Sequence, residues 1–394
     1  MTGSGVTIEV LVAHGARLGV EQRVIVGLPA GAPVPSVGGL SPDHVRPLFF
    51  GGEELPFLLP GMSDVMPYPS TRFSDLDTAM VARYEAAWGA HVASVAAELR
   101  PDLVHAHHVW LLSAVVRSLL PEVPLVVHCH GTGLRQAVLC PHLAPRVRAG
   151  CARADALCAL HADQAAALVA HLGVPSSRIH VVGAGFREDL FHSSGRRADV
   201  GSVLVYAGKL AHAKGLPQLL DAVERLARSR PGLHLHVCGD ASGPEADALR
   251  ARMIARPDLV TLHGQVDQPR LADILRQAAV FVLPSFYEGL PLVVVEALAA
   301  GCRAVVTELP GLRDGLAPLA SALHLVPCPP LIGADVPAPV ALPAFAAALE
   351  HAILEALDAG PHRLAESALA AFGWSGVGRR VEGVWRALAP ASEP

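Results

Sequence analysis

The stretch Val280-Phe281-Val282-Leu283-Pro284-Ser285-Phe286-Tyr287-Glu288-Gly289-Leu290-Pro291-Leu292-Val293-Val294-Val295-Glu296-Ala297-Leu298-Ala299-Ala300-Gly301 decides how the chain is read. An apolar β-branched run, a short loop with a carboxylate and a glycine, and a second apolar run carrying another carboxylate describe a strand, a turn and a helix. Such a loop lies at the carboxyl edge of a parallel sheet, where open α/β folds bind their ligands. An ionised carboxylate only accepts hydrogen bonds and takes two hydroxyl protons at once, which suits a vicinal diol on ribose or hexose. The amides from Leu290 to Val293 at the helix start would face a phosphate or sugar oxygen. The plainer alternative leaves Glu288 as a solvated loop residue and Glu296 as a helical Glu favoured by the dipole.

Outward from this stretch, short β-branched runs alternate with longer amphipathic segments, the pattern of parallel sheets covered by helices on both faces. Strands are predicted at Arg23–Val26, Leu103–His107, Leu125–His128, Ala156–Leu160 and Arg178–Val182, then at Val203–Ala207, Leu233–Cys238, Leu259–His263, Val280–Leu283, Arg303–Thr307 and Leu323–Val326. The polar Ser193-Ser194-Gly195-Arg196-Arg197 between the two sets reads as a linker. Ser74 precedes a long helix ending near Leu99, and Gly215 opens another with Leu219, Leu220, Val223 and Leu226 on one face. Residues 29–70, rich in proline, read as a wandering loop near a cleft mouth, and Pro327–Pro343 as a second loop.

A second element sits between a strand and a helix: Tyr206-Ala207-Gly208-Lys209-Leu210-Ala211-His212-Ala213-Lys214-Gly215-Leu216. Two lysines on one turn beside a glycine are what a departing diphosphate needs as charge builds on it, although a pair of loop lysines is also an ordinary solvated surface. In this order and separation the two elements resemble glycosyltransferase family 4, the retaining nucleotide-sugar transferases of the GT-B fold. Pro101-Asp102-Leu103-Val104-His105-Ala106-His107, His130-Gly131-Thr132, Arg178 to Gly185 and Phe372-Gly373-Trp374-Ser375 extend the resemblance over almost the whole chain.

The resemblance implies an α/β chain of two Rossmann-like, doubly wound domains facing across a cleft. Residues 1–192 would form the acceptor-side domain, 198–372 the donor-binding domain, and 373–394 a C-terminal helix packing back towards the first. It implies that Lys209 and Lys214 grip the donor diphosphate beside Gly208, that Glu296 holds the ribose hydroxyls, and that Glu288 with the Gly289, Leu290 and Pro291 backbone holds the hexose. Gln265 and Val266 would lie beside the nucleobase. His130 would contact the transferred sugar, and Gly3 and Gly5 would approach the phosphates. The implied reaction is retaining, metal-independent hexose transfer from a nucleoside-diphosphate sugar to a small-molecule, glycan or lipid-linked acceptor, with no cofactor. The alternatives are an epimerase or hydrolase on the same fold, which would consume donor without an acceptor, and a non-catalytic nucleotide-sugar binder.

Three departures from the family pattern stand out: Lys209 where relatives often have Arg, Gly133 where they often have Asp, and glycines at positions 3 and 5 with no apolar strand ahead of them. Either an upstream strand is expected in frame, or Val6 to Val12 serves as that strand, although Ile8, Leu11 and Val12 fit a helix face equally well.

Composition narrows the remaining possibilities. The formal charge of −5 and the lack of a basic tract disfavour nucleic acid as a partner. With 52% apolar and 17% charged residues the chain is too apolar for disorder. Leu290 to Val306 is broken by Pro291, Glu296, Gly301 and Arg303, which predicts no transmembrane segment, with peripheral membrane contact left open. The opening residues lack the pattern of a secretory signal, and the seven cysteines form no C-x-x-C pair, so a cytoplasmic chain with reduced, buried thiols is expected. His105, His107, His108, His128 and His130 gather at two strand ends, but without a neighbouring carboxylate, and strand alternation is expected to keep them from all coming together, so no metal site is expected. Asp75-Leu76-Asp77 reads as a helix-start pair rather than a metal motif, and Cys140 and Cys151 as buried thiols.

Overall fold

The computed structural model describes residues 3–63, 66, 68–288, 291–309, 312–360 and 362–389. The chain divides into two compact units, Met1–Gly183 with Val377–Pro394, and Ala184–Gly376. Ser193 to Arg197 lie inside the second unit, where Arg196 donates to the carbonyls of Ala278 (2.6 Å), Leu275 and Ala300.

The first unit begins with helix α1 (Gly3–Arg17) and the parallel pair β1 (Val24–Pro29) and β2 (Val45–Phe50). Two-residue strands β3 (Pro60–Gly61) and β4 (Thr71–Arg72) pair next, followed by α2 (Thr78–Leu99). Four parallel strands come after: β5 (Val104–His107), β6 (Leu125–His128), β7 (Ala156–Ala159) and β8 (Ile179–Val181). Helices α3 (Leu111–Leu119), α4 (Thr132–Leu139), α5 (Ala144–Cys151) and α6 (Ala162–Leu172) connect them. Val104, Ala106, Leu125, Val127, Leu157 and Ala159 share one sheet face and join Tyr84, Trp88 and Trp110 in the core. The opposite face carries histidines.

Several expectations are corrected here. Val6 to Val12 is helix, not strand: Leu11 and Val12 are buried at helical spacing, and Gly3 and Gly5 belong to the first turn of α1. The segment 29–70 is not a wandering loop, since β2 lies within it and Leu48, Phe50, Leu55 and Phe57 anchor it in the core. Pro47 disguises β2 as a non-strand, and is accommodated because β2 pairs on one side only, with β1. The N-cap of α2 is Asp77, which accepts from the Met80 amide at 2.8 Å, while Ser74 sits in the preceding 3-10 turn.

The second unit is a six-stranded parallel sheet in the order β11-β10-β9-β12-β13-β14. The strands are β9 (Val203–Ala207), β10 (His234–Cys238), β11 (Val260–Gly264), β12 (Val280–Leu283), β13 (Arg303–Glu308) and β14 (Leu323–Pro327). Helices α7 (Leu216–Leu226), α8 (Pro244–Ile254), α9 (Gln268–Arg276), α10 (Leu292–Ala299), α11 (Leu312–Gly315), α12 (Leu342–Asp358) and α13 (Glu366–Ala370) accompany it. The segment Pro339–Asp358, which includes α12, is by length and composition apolar enough to cross a membrane. Here it is a packed element, with Phe345, Leu349 and Ile353 buried and α12 set against α7, β13 and β14. The last helix, α14 (Trp374–Leu388), brings Arg380 to the Val182 carbonyl (2.8 Å) and Glu382 to His14 (2.9 Å) within the first unit.

Candidate functional site

Strand order runs outward in both directions from β9 and β12, so the carboxyl ends of these neighbours form the topological switch point of the second sheet, the standard crevice for a ligand. The loop after β9 carries Gly208, Lys209 and Lys214, and the loop after β12 carries Glu288. The structure brings these two loops together. Phe286 donates its amide to the Ala213 carbonyl at 2.9 Å, and Gly215, at φ +64°, lies so close to Pro284 that a Cβ there would meet its carbonyl oxygen at 2.1 Å. Lys214 Nζ donates to Glu288 Oε1 at 2.5 Å, with both side chains mostly buried. Gly239, at φ +136°, is equally constrained: a Cβ there would sit 1.9 Å from the Gly208 carbonyl oxygen.

Tyr206, absent from the expected site, fixes the lysine loop. Its ring is fully buried, burial keeps the phenol protonated, and the hydroxyl donates to the Lys209 carbonyl at 2.6 Å. A buried tyrosine at a strand end just before a glycine is the signal that could have found it, because a buried hydroxyl needs a partner.

Glu296 lies in α10 and is 6% exposed, and burial pushes its carboxyl up to about 7. Desolvation favours the protonated acid, and hydroxyl donors reaching this carboxyl would favour its charged, accepting form. Pro291 is the buried N-cap of α10, which has no side-chain cap, so the first-turn amides of the helix present its positive end. Gly289 and Leu290 lie outside the described residues. Gln265, exposed, and Val266 follow β11, where Gly264 takes φ +67° and accepts from the Gly239 amide at 2.7 Å. They therefore sit at the same carboxyl edge of the sheet, two strands from the lysine loop.

His130 follows β6 in the first unit, just before Gly131 at φ +85° and helix α4. Its Nε2 lies 2.9 Å from His107 Nδ1, and its ring stacks on His128 with centroids 4.7 Å apart. Contrary to the expectation from strand alternation, His105, His107, His128 and His130 form one stack, and His108 tilts against His130. In-register parallel strands cause this: His107 and His128 are direct neighbours, and His105 shares their face two positions earlier. His108 takes φ +72°, and its Nδ1 lies 3.0 Å from Thr132 Oγ1. Gly133 has a packing reason: a Cβ there would meet the Val109 carbonyl oxygen at 2.5 Å, so no side chain fits.

Comparison with known proteins agrees with this geometry. Residues 2–185 match the family described as "Glycosyl transferase 4-like domain", and residues 201–327 match "Glycosyl transferases group 1". The chain is 32% identical over 313 residues to a D-inositol 3-phosphate glycosyltransferase of Catenulispora acidiphila, covering 72% of each. It is 29% identical over 228 residues to a glycogen synthase of Mycobacterium tuberculosis, covering 55% of this chain and 54% of that one, so it spans about half the length of that relative. Among solved structures, Anabaena HepE in complex with UDP and glucose superposes with a TM-score of 0.59 at 18% identity, over 98% of this chain and 96% of that one. Matched in both halves and across most of a related transferase, the chain belongs to glycosyltransferase family 4 and has the GT-B fold of two Rossmann-like domains.

Proposed function

We propose that the chain is a retaining glycosyltransferase that moves a hexose from a nucleoside-diphosphate sugar to a hydroxyl acceptor. The observation that carries this reading is the Lys214–Glu288 contact at the switch point, with the buried Glu296 on the helix that follows. Lys209 and Lys214 meet the diphosphate, and as the glycosidic bond lengthens they stabilise the charge that builds on the leaving group. Because that charge is met by lysines and helix N-termini, the donor site needs no divalent ion. Glu296 accepts from the ribose hydroxyls, while Glu288 and the segment up to Pro291 hold the hexose. Gln265 and Val266 flank the base, and His130 contacts the transferred sugar. Gly3 and Gly5, in the first turn of α1, approach the phosphates with helix N-terminal amides. A cytoplasmic setting fits the seven cysteines, which form no disulfide among the described residues.

The test is a donor panel. UDP- and GDP-hexoses are titrated calorimetrically with Mg2+ and Mn2+ withheld, starting with UDP-glucose because HepE was solved with UDP and glucose. Bound donors are then offered acceptors that include inositol phosphates, the class named in the Catenulispora relative, and the product anomer is read by NMR. Transfer with retained configuration supports the reading. Donor breakdown independent of any acceptor, or binding without turnover, overturns it.

A further inference from the structure

The histidine-bearing face of the first sheet contains a second constellation. The register sets His107, His128, Cys158 and His180 side by side across β5 to β8, with His105 on the same face. One ligand atom each from His105, His128 and Cys158 lie within 4.8 Å of one another. His128 and Cys158 are fully buried, and neither ring nitrogen of His128 has a hydrogen-bond partner. An imidazole always carries at least one N–H or one lone pair that burial without a partner makes costly, so a fully buried ring with two orphaned nitrogens calls for a ligand. His105 Nε2 is orphaned as well.

We propose that His105, His128 and Cys158 form a binding site for a divalent transition-metal ion of the zinc type, set inside the first unit. Two imidazoles and one thiolate are a borderline-soft set that suits such an ion and leaves a fourth position for water. Zinc–ligand bonds of about 2.0–2.3 Å require the three atoms to draw inward by up to about 1 Å as the ion enters. Binding displaces the thiol proton of Cys158 into solvent. It also changes His105. At present Trp385 Nε1 donates to His105 Nδ1 at 2.9 Å, which puts the proton of the neutral ring on Nε2. Coordination through Nε2 moves that proton to Nδ1, where it opposes the indole N–H, and coordination through Nδ1 displaces the indole directly. Trp385 on α14 therefore competes with the ion.

The full chain, stripped with EDTA and dialysed, is titrated with CoCl2, followed by ZnSO4 as competitor. The expected result is one equivalent of cobalt with a thiolate charge-transfer band, displaced by zinc. Cys158→Ser abolishes the band, and Cys140→Ser keeps it. His105→Ala, on the half-buried strand β5, weakens binding and gives a second reading should Cys158→Ser fail to fold. Trp385→Phe removes the competing donor and tightens binding by about tenfold, the lower end of what a partner behind a ligand changes. A purely structural role for Trp385 predicts the opposite sign. Absence of a thiolate band in the folded wild-type chain, a band that survives Cys158→Ser, or weaker binding in Trp385→Phe overturns the proposal.

Discussion

At the residue scale, the donor site depends on two ionisable groups in contrasting settings. Lys214 is aimed by Glu288, so Lys214→Ala should lower donor turnover by about 3 kcal/mol of transition-state stabilisation, two orders of magnitude in kcat/KM, with circular dichroism unchanged. Turnover within about a factor of two of the parent removes the lysine from the diphosphate. Because the two side chains touch, the double variant with Glu288→Gln should lose less than the sum of the single losses, by about 0.5–3 kcal/mol. Glu296 gives a pH signature. In the folded chain its carboxyl titrates at about 7 against an ordinary 4.5. Between these values the folded state holds a proton that the unfolded chain has released, so stability falls as pH rises through the window and levels off above 7. At about 1.4 kcal/mol per unit, the total is about 3–4 kcal/mol, and Glu296→Gln should flatten that part of the urea-melt profile. Hydroxyl donors favour the charged form, so nucleotide-sugar affinity should rise from pH 6 to pH 8 in the parent and stay level in Glu296→Gln. Equal pH profiles for the two chains would remove Glu296 from the ribose.

At the element scale, the donor-binding edge is set by how closely two loops approach. Gly215 caps α7 at φ +64° with Pro284 carbonyl oxygen in the way of any Cβ, whereas Gly232, at φ +83°, has nothing within 4 Å. Gly232→Ala should therefore cost only the backbone term of about 1 kcal/mol. Gly215→Ala should cost at least about 2 kcal/mol more and loosen nucleotide binding, because the clash pushes the lysine loop from the Glu288 loop. Equal denaturant midpoints for the two variants would show that the loops do not need this contact. In the sequence, Gly215 was legible as a helix opening, but its neighbour across the crevice was not. The strand β2 was hidden for a local reason: Pro47 reads as a breaker, and only its one-sided pairing with β1 makes it tolerable. Helix α1 was ambiguous because Val6, Ile8, Val10 and Val12 alternate like a strand while Ile8, Leu11, Val12 and Leu18 fit a helix face, and packing of Leu11 and Val12 resolved it.

At the scale of the whole molecule, Lys209, Lys214, Gln265, Glu288 and Glu296 all belong to Ala184–Gly376, and His130 belongs to the other unit. A fragment of residues 184–376 has its own six-stranded sheet and should bind nucleoside diphosphate within about tenfold of the full chain, while showing no transfer. A fragment that folds yet fails to bind would mean that essential donor contacts come from outside it. Periodicity and strand-to-loop position were enough for the sequence to determine the parallel α/β class, eleven of the strands and the carboxylate–lysine pairing of motifs, because those are properties of neighbouring residues. Only the tertiary structure decided which side chains meet. Alternation along each strand sets His105 beside His107 and His128 beside His130, but only the register between β5 and β6 stacked the two pairs on one face. Burial raised the Glu296 carboxyl, and the approach of two loops joined Lys214 to Glu288 across 74 positions of sequence. Register, desolvation and close approach depend on residues distant in the chain, and no local pattern encodes them.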